Sequence, residues 1–209
     1  PVMETLKNIA TGLYRETTIE EGFFILKFNN ETAEKQLVTR EVDSSFIQFH
    51  FCAKGNSVFQ FNEGNYKLPL GEEHSLLLYN PQRDLPIYLE IAPETWVISV
   101  FISIKKFHSL FSREADFITF LSDENRDRKY YKDGLISPSM AIVLNQLMNY
   151  NLHPSVKALY FKGKVPGKFP ARFARRISFG FPLYFEGKVP GKFPARFARC
   201  ALLQLDLCL

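Results

Sequence analysis

Along residues 46–105 apolar and polar positions alternate with a period of two, and Gly, Asn and Pro break the alternation at short intervals. Six runs result: FIQFHFCAKG, NSVFQFN, GNYKLPL, EHSLLLYNP, LPIYLEIA and TWVISVFISIK. Aromatic and β-branched residues dominate each run, and these side chains suit a pleated, half-buried surface. Strands this short and closely spaced leave no room for the crossovers that parallel pairing needs, so the pattern predicts an antiparallel barrel or sandwich. In the first run Ile47, Phe49 and Phe51 share one face, and Gln48, His50 and Cys52 the other. In the last, Trp96, Ile98, Val100, Ile102 and Ile104 form a wholly apolar face, with Ser99 and Ser103 opposite, beside Val97 and Phe101. The wholly apolar faces are expected to form the inner wall of the barrel. Gly64-Asn65 suits a hairpin turn because both residues tolerate positive φ, and Gly71 is expected to end a strand.

Past residue 104 the period changes. Residues 105–111 and 113–122 carry apolar positions at helical spacing (Ala115, Ile118 and Leu121 in the second), with Ser112 as a cap. Residues 123–133 read as a charged loop. Ser137 before Pro138 is an N-cap and first-turn pair. Met140, Val143, Leu144, Leu147 and Met148 then make a stripe at the i, i+3, i+4, i+7 spacing. That stripe reads equally as a cover for the barrel or as a contact with a second copy. His153-Pro154-Ser155 starts a further helix through Val156, Leu159 and Tyr160, which Pro166-Gly167 stops.

The remaining sequence repeats itself. LYFKGKVPGKFPARFAR over residues 159–175 returns over 183–199, changed only from Lys162 to Glu186. Two copies do not make a solenoid, and the unit starts inside the preceding helical pattern, so it reads as duplicated sequence rather than as a folding unit. Residues 159–199 hold ten Lys/Arg and one acidic residue, whereas the whole chain carries +4, so the part before the repeat is net acidic. A basic, Phe-interleaved tail offers nonspecific contact with an anionic surface or nucleic acid. Pro166, Pro170, Pro190 and Pro194 nevertheless exclude a continuous membrane-lying helix, and a solvated, disordered tail is the expectation. No apolar run approaches the ~20 residues of a membrane span, and no secretory signal layout opens the chain. Cys52, Cys200 and Cys208 are odd in number and irregularly spaced, which argues against a disulfide framework and for a reducing, cytoplasmic location.

A longer-range order is also present. Phe51, Lys54-Gly55, Phe59, Phe61, Tyr66-Lys67-Leu68, Gly71 and Leu76-Leu77-Leu78-Tyr79-Asn80-Pro81 follow one another. Phe107-His108-Ser109-Leu110-Phe111, Tyr130-Tyr131 and Ser137-Pro138-Ser139-Met140 come after them. This succession resembles the N-terminal domain of AraC-type bacterial transcription regulators, most closely their Bacteroidetes members, over residues 20–165. The resemblance implies a mainly β fold with α: an antiparallel cupin-like β-barrel, then two or more helices, here followed by an irregular, repeat-containing tail. It implies a sensor barrel over residues 1–104 and a helical dimerisation and linker segment over 105–165, with 166–209 as the aberrant basic tail. The implied partners are a small-molecule effector and a second copy of the chain, with no membrane. DNA would be reached only through paired helix-turn-helix units, which should follow residue 165 and do not. The expected function is therefore the effector-sensing and dimerisation part of such a regulator, truncated before its DNA-binding domain. A stand-alone cupin-like binding protein with a nonspecific basic tail is the alternative.

Candidate chemistry is sparse. Cupin-type metal sites use closely spaced His residues with a carboxylate, but His50, His74, His108 and His153 form no His-x-His pair. No nucleophile elbow or phosphate-binding Gly loop occurs. The expectation is therefore a non-enzyme without metal or other cofactor. Gln48 and His50 are candidates to hydrogen-bond an effector, although His50 reads equally as exposed or as a satisfied wall residue. Trp96 is a candidate stacking floor or, alternatively, core packing. Tyr79 and Tyr88 offer hydroxyls near strand ends, where pocket mouths lie. The dimer candidates are Met140, Val143, Leu144, Leu147 and Met148.

Overall fold

The computed structural model of the chain describes residues 3–9, 12–110 and 128–149. The helices expected over 113–122 and 153–160, the repeat and the tail over 166–209 lie outside the described residues. Ten strands come first: β1 (Met3–Ile9), β2 (Gly12–Glu20), β3 (Phe23–Asn30), β4 (Gln36–Arg40), β5 (Phe46–Lys54), β6 (Asn56–Phe61), β7 (Tyr66–Gly71), β8 (His74–Tyr79), β9 (Ile87–Ile91) and β10 (Thr95–Ser103). After them come α1 (Ile104–Leu110), β11 (Tyr130–Leu135) and α2 (Pro138–Asn149). The strands form a seven-stranded sheet in the order β1-β2-β3-β10-β5-β8-β11 and a four-stranded sheet in the order β4-β9-β6-β7. Every pairing is antiparallel. The mainly β, antiparallel, cupin-like fold with helices behind it is thus the one expected, and each of the six runs between residues 46 and 105 is a strand. Among the described residues, no helix is long and apolar enough to cross a membrane.

The large sheet is buried on both sides, and this reverses the predicted facing. Between the two sheets lie Leu26, Phe28, Cys52, Leu76, Leu78, Val97 and Phe101 from the large one and Val38, Phe59, Leu68, Leu70, Ile87, Leu89 and Ile91 from the small one. On the opposite side of the large sheet, Ile25, Ile47, Phe49, Phe51, Leu77, Ile98, Val100 and Ile102 pack under Phe107 of α1 and Met140 and Leu144 of α2. The wholly apolar face therefore points at the helices. The mixed face, with Gln48, His50 and Ser99, points into the sandwich. The helices cover the centre of the outer face through apolar side chains, whereas strand pairing on the inner face places Ser99, His50 and Gln48 to hydrogen-bond one another, so the buried polar groups there are satisfied.

Local chemistry fixes the junctions. Ser103 caps α1, its Oγ accepting from the Lys106 N–H at 3.2 Å, while its own N–H donates to the Gly22 carbonyl at 2.7 Å. Gly22 has φ +73°, and a Cβ there would strike Ser103 Oγ, so the approach of the β2–β3 turn to α1 requires glycine. Ser137 caps α2 as expected, with Oγ 3.3 Å from the Met140 nitrogen. Lys27 of β3 donates to the Leu147 carbonyl at 2.8 Å and holds the far end of α2 on the sheet. Arg40 of β4 and Glu16 of β2 face each other at 3.5 Å across one edge of the sandwich. Asn30, fully buried, donates to the carbonyls of Ile91 and Ala92 at 3.1 and 2.9 Å and ties the end of β3 to β9.

The β6–β7 hairpin turns where expected: Gly64-Asn65 belong to the four-residue loop closed by the Phe61↔Tyr66 pair, in which Asn62, Glu63 and Gly64 all have positive φ (52°, 57° and 86°) and the Gly64 N–H donates to the Phe61 carbonyl at 3.2 Å. One local expectation is corrected. Residues 130–133, read as the end of a charged loop, are instead the start of β11, paired with β8 from Tyr130↔Tyr79 onward. An edge strand carries charge on its solvent side, so its composition resembles a loop.

Gly22→Ala should lower stability by about 2 kcal/mol or more, through left-handed strain plus the clash with Ser103. Glu63→Gly should raise it by a few tenths to about 1 kcal/mol by relieving an unfavourable φ. Urea unfolding of the two variants reads both signs.

Candidate functional site

Register assembles a polar chain inside the sandwich. Ser99 of β10 lies directly opposite His50 of β5, and Gln48 follows on the same face of β5. Ser99 Oγ is 2.7 Å from His50 Nδ1, and His50 Nε2 is 3.1 Å from Gln48 Oε1. Gln48 Nε2 donates to the Leu85 carbonyl at 2.7 Å. A carbonyl only accepts, so the Gln48 amide must turn its NH2 to Leu85 and its oxygen to the imidazole. His50 then carries its proton on Nε2, and Nδ1 accepts from the Ser99 hydroxyl. The ring is fully buried, with the Phe59 ring centre 4.3 Å away and that of Phe101 at 5.9 Å. Burial without a counter-charge pushes the imidazole down to about 3 from 6.5. His50 is therefore neutral at physiological pH, and both of its nitrogens are engaged.

Such a histidine is neither a ready base nor a metal ligand. The donor set of the interior does not fit a metal. His74 and His108 are exposed, burial pushes the Cys52 thiol up to about 12, and no group of three His, Cys, Asp or Glu converges among the described residues.

The chain of hydrogen bonds ends at the loop between β8 and β9, residues 80–86, which is pinned from several directions. Leu85 accepts from Gln48 and donates its N–H to Val42 O at 3.1 Å, Asp84 Oδ1 accepts from the Ser44 N–H at 2.9 Å, and Asn80 Oδ1 accepts from the Gln82 N–H at 3.1 Å. On its outer side this loop lines two clefts. One, of about 300 Å³, is lined by Phe61, Leu85, Pro86 and Tyr88 together with the polar Asn62, Asn80, Arg83 and Asp84. The other, of about 600 Å³, is lined by Asn80, Gln82, Arg83, Arg128 and Lys129. The Tyr130↔Tyr79 pairing brings Lys129 and Arg128 beside Asn80, so the second cleft exists because β11 joins β8.

The sequence candidates do not converge on one cavity. Gln48 and His50 are bonded to each other in the interior. Tyr79 is buried on the helix-facing side of the large sheet. Tyr88 is exposed on the outer side of the small sheet, in the first cleft. Trp96 is half-buried at the register shift that opens β10, with the Lys54 ammonium 5.8 Å above its ring. Of the α2 stripe, Met140 and Leu144 are in the core, and Leu147 and Met148 are half-buried against it. Sequence reasoning missed Arg83, Arg128, Lys129 and Asn80 as site residues. The turn-rich 80–86 stretch with an embedded Arg was the one local signal for them.

No protein-family model matches the chain, and no curated protein matches it. Solved structures with a similar strand layout include Bacillus subtilis oxalate decarboxylase, studied for its Mn(II) centres, at 14% identity and TM-score 0.35 over 48% of this chain. The match spans only 27% of the decarboxylase chain. They also include ToxT from Vibrio cholerae, in an apo form at 10% identity and TM-score 0.43 over 88% of this chain and 70% of that one. ToxT with bound unsaturated fatty acid matches at 11% identity and TM-score 0.43, over 81% of this chain and 59% of that one.

The depressed His50 pKa makes stability depend on pH with a definite sign. Between pH 6.5 and about 3 the unfolded chain binds a proton at His50 that the folded chain refuses. Stability should therefore fall as pH drops through this window, by up to about 1.4 kcal/mol per pH unit. Urea midpoints of the wild type between pH 7 and 5 should show the slope, and His50→Gln should lose this contribution to it.

Proposed function

We propose that this chain is the effector-sensing and dimerisation part of an AraC-type transcription regulator. The observation that carries the reading is the order of the resembling residues along the described elements. Phe51 lies in β5, Phe59 and Phe61 in β6, Tyr66 to Leu68 in β7, and Leu76 to Tyr79 in β8, with Asn80-Pro81 opening the rim loop. Phe107 to Leu110 lie in α1, Tyr130-Tyr131 opens β11, and Ser137-Pro138 starts α2. Three roles follow, with the barrel over residues 1–104 as sensor, residues 105–165 as linker and dimer segment, and the effector at the rim.

The rim is favoured over the interior because the interior polar groups already satisfy one another, while the loop of residues 80–86 lines two clefts with Asn80, Gln82 and Arg83. A ligand that prefers one position of this loop would bias whatever packs beyond the sheet, which is how binding energy becomes a signal. Binding, not catalysis, is the chemistry such a site supplies. The α2 side chains that remain partly exposed, Ile142, Leu147 and Met148, are available to meet a second copy. DNA contact belongs to paired helix-turn-helix units, which do not occur among the described residues. A stand-alone binding protein would share the sensing chemistry without the dimer.

Sedimentation of the full chain should give a dimer, and a monomer at tens of micromolar would favour the stand-alone reading. Thermal unfolding against fractions of a small-molecule cell extract tests sensing. A fraction holding the effector at ~100 times its Kd should raise Tm by about 5–10 °C. No rise with any fraction would remove the sensing role.

A further inference from the structure

We infer that the rim clefts form one site for a small organic dianion, a phosphate monoester or a dicarboxylate, whose apolar body lies in the smaller cleft. This inference rests on the sensing reading and specifies its ligand class. Among the described residues, the larger cleft is lined by Arg83, Arg128 and Lys129 together with the amides of Asn80 and Gln82. Among the described residues, no carboxylate pairs with any of the three cations. Like charges gathered around one cleft repel one another, and a bound anion relieves that repulsion.

The cluster is not a by-product of a generally basic surface, since the chain before residue 159 is net acidic. Asn80 adds directional donors. Its oxygen accepts from the Gln82 N–H at 3.1 Å, which leaves its role toward a ligand to the side-chain NH2. Asp84 lines the smaller cleft, where its Oδ1 is engaged by the Ser44 N–H at 2.9 Å.

Two features set the ligand's shape. The clefts share Asn80 and Arg83, so a headgroup on Arg83 is adjacent to the Phe61, Tyr88 and Pro86 walls. A volume of about 300 Å³ there accommodates a single ring or short chain rather than a polymer. The loop carrying Arg83 is held by hydrogen bonds to Gln48, Ser44 and Val42, so little ordering is left to oppose binding.

Calorimetry with the full-length chain tests the assignment, using phenyl phosphate, phthalate, inorganic phosphate and neutral benzyl alcohol as probes. At least one of the two aromatic dianions should bind, inorganic phosphate more weakly and benzyl alcohol not measurably. Binding should weaken as salt rises from 50 to 500 mM. The Arg83→Gln/Arg128→Gln double variant changes exposed side chains and should keep the wild-type Tm while losing at least tenfold in affinity. Equal binding of benzyl alcohol, unchanged affinity in the double variant, or no binding of either aromatic dianion overturns the inference. If the dianions fail but an extract fraction raises Tm equally in wild type and variant, the sensing reading stands and the ligand class is wrong. If neither dianions nor fractions act, both fall.

Discussion

A neutral imidazole walled by aromatic rings tolerates burial only while both of its nitrogens have partners, and His50 meets that condition through residues on three separate elements. Ser99 comes from β10, Gln48 from β5, and the chain ends on the main chain of the β8–β9 loop at Leu85. Leaving any one of these groups unbonded in the interior would cost on the order of 1–3 kcal/mol, so the register of β10 on β5 and the position of the loop are selected together. The outer face of that loop is the candidate binding surface. The inside of the sandwich thereby decides where Arg83 and Asn80 stand at the rim.

The layer arrangement follows from burying the large sheet twice. Its central strands carry one face that helices can cover by apolar contact alone and one face where cross-strand polar partners are available. Phe107, Met140 and Leu144 close the first, and the small sheet closes the second. Lys27 holding the Leu147 carbonyl and Ser103 meeting Gly22 attach the two helices at their ends as well as along their sides. Movement of α2 relative to the barrel therefore has few independent routes, and the sheet between helix and loop is the most direct one.

Strands were legible in the sequence because their signal is local: period-two alternation, aromatic runs and turn residues mark β5 to β10 without reference to anything distant. Facing was not legible. When both sides of a strand are buried, Val97 and Phe101 look as apolar as Ile98 and Val100, and nothing in the strand says which side meets helices. Alternation alone puts the wholly apolar side inward, yet the pairing of Ser99 with His50 needs the inward side to be the mixed one. That pairing depends on register between strands far apart in sequence, set by the irregularity at Trp96/Val97. The second cleft was hidden for the same reason. Arg128 and Lys129 reach Arg83 only through the β8–β11 ladder, and β11 is too charged to read as a strand.

The state of His50 is the most direct test of this account. Long-range proton–nitrogen correlation spectra of the chain labelled with nitrogen-15 at histidine report the protonation of each ring nitrogen. Recorded from pH 8 to pH 5, they should show His50 as the Nε2–H tautomer with shifts that do not move, since burial holds its pKa down at about 3. A His50 signal that titrates near 6.5, or that shows the Nδ1–H tautomer, would mean the interior is wet or differently bonded. The loop would then lose its inner anchor, and the rim site its basis.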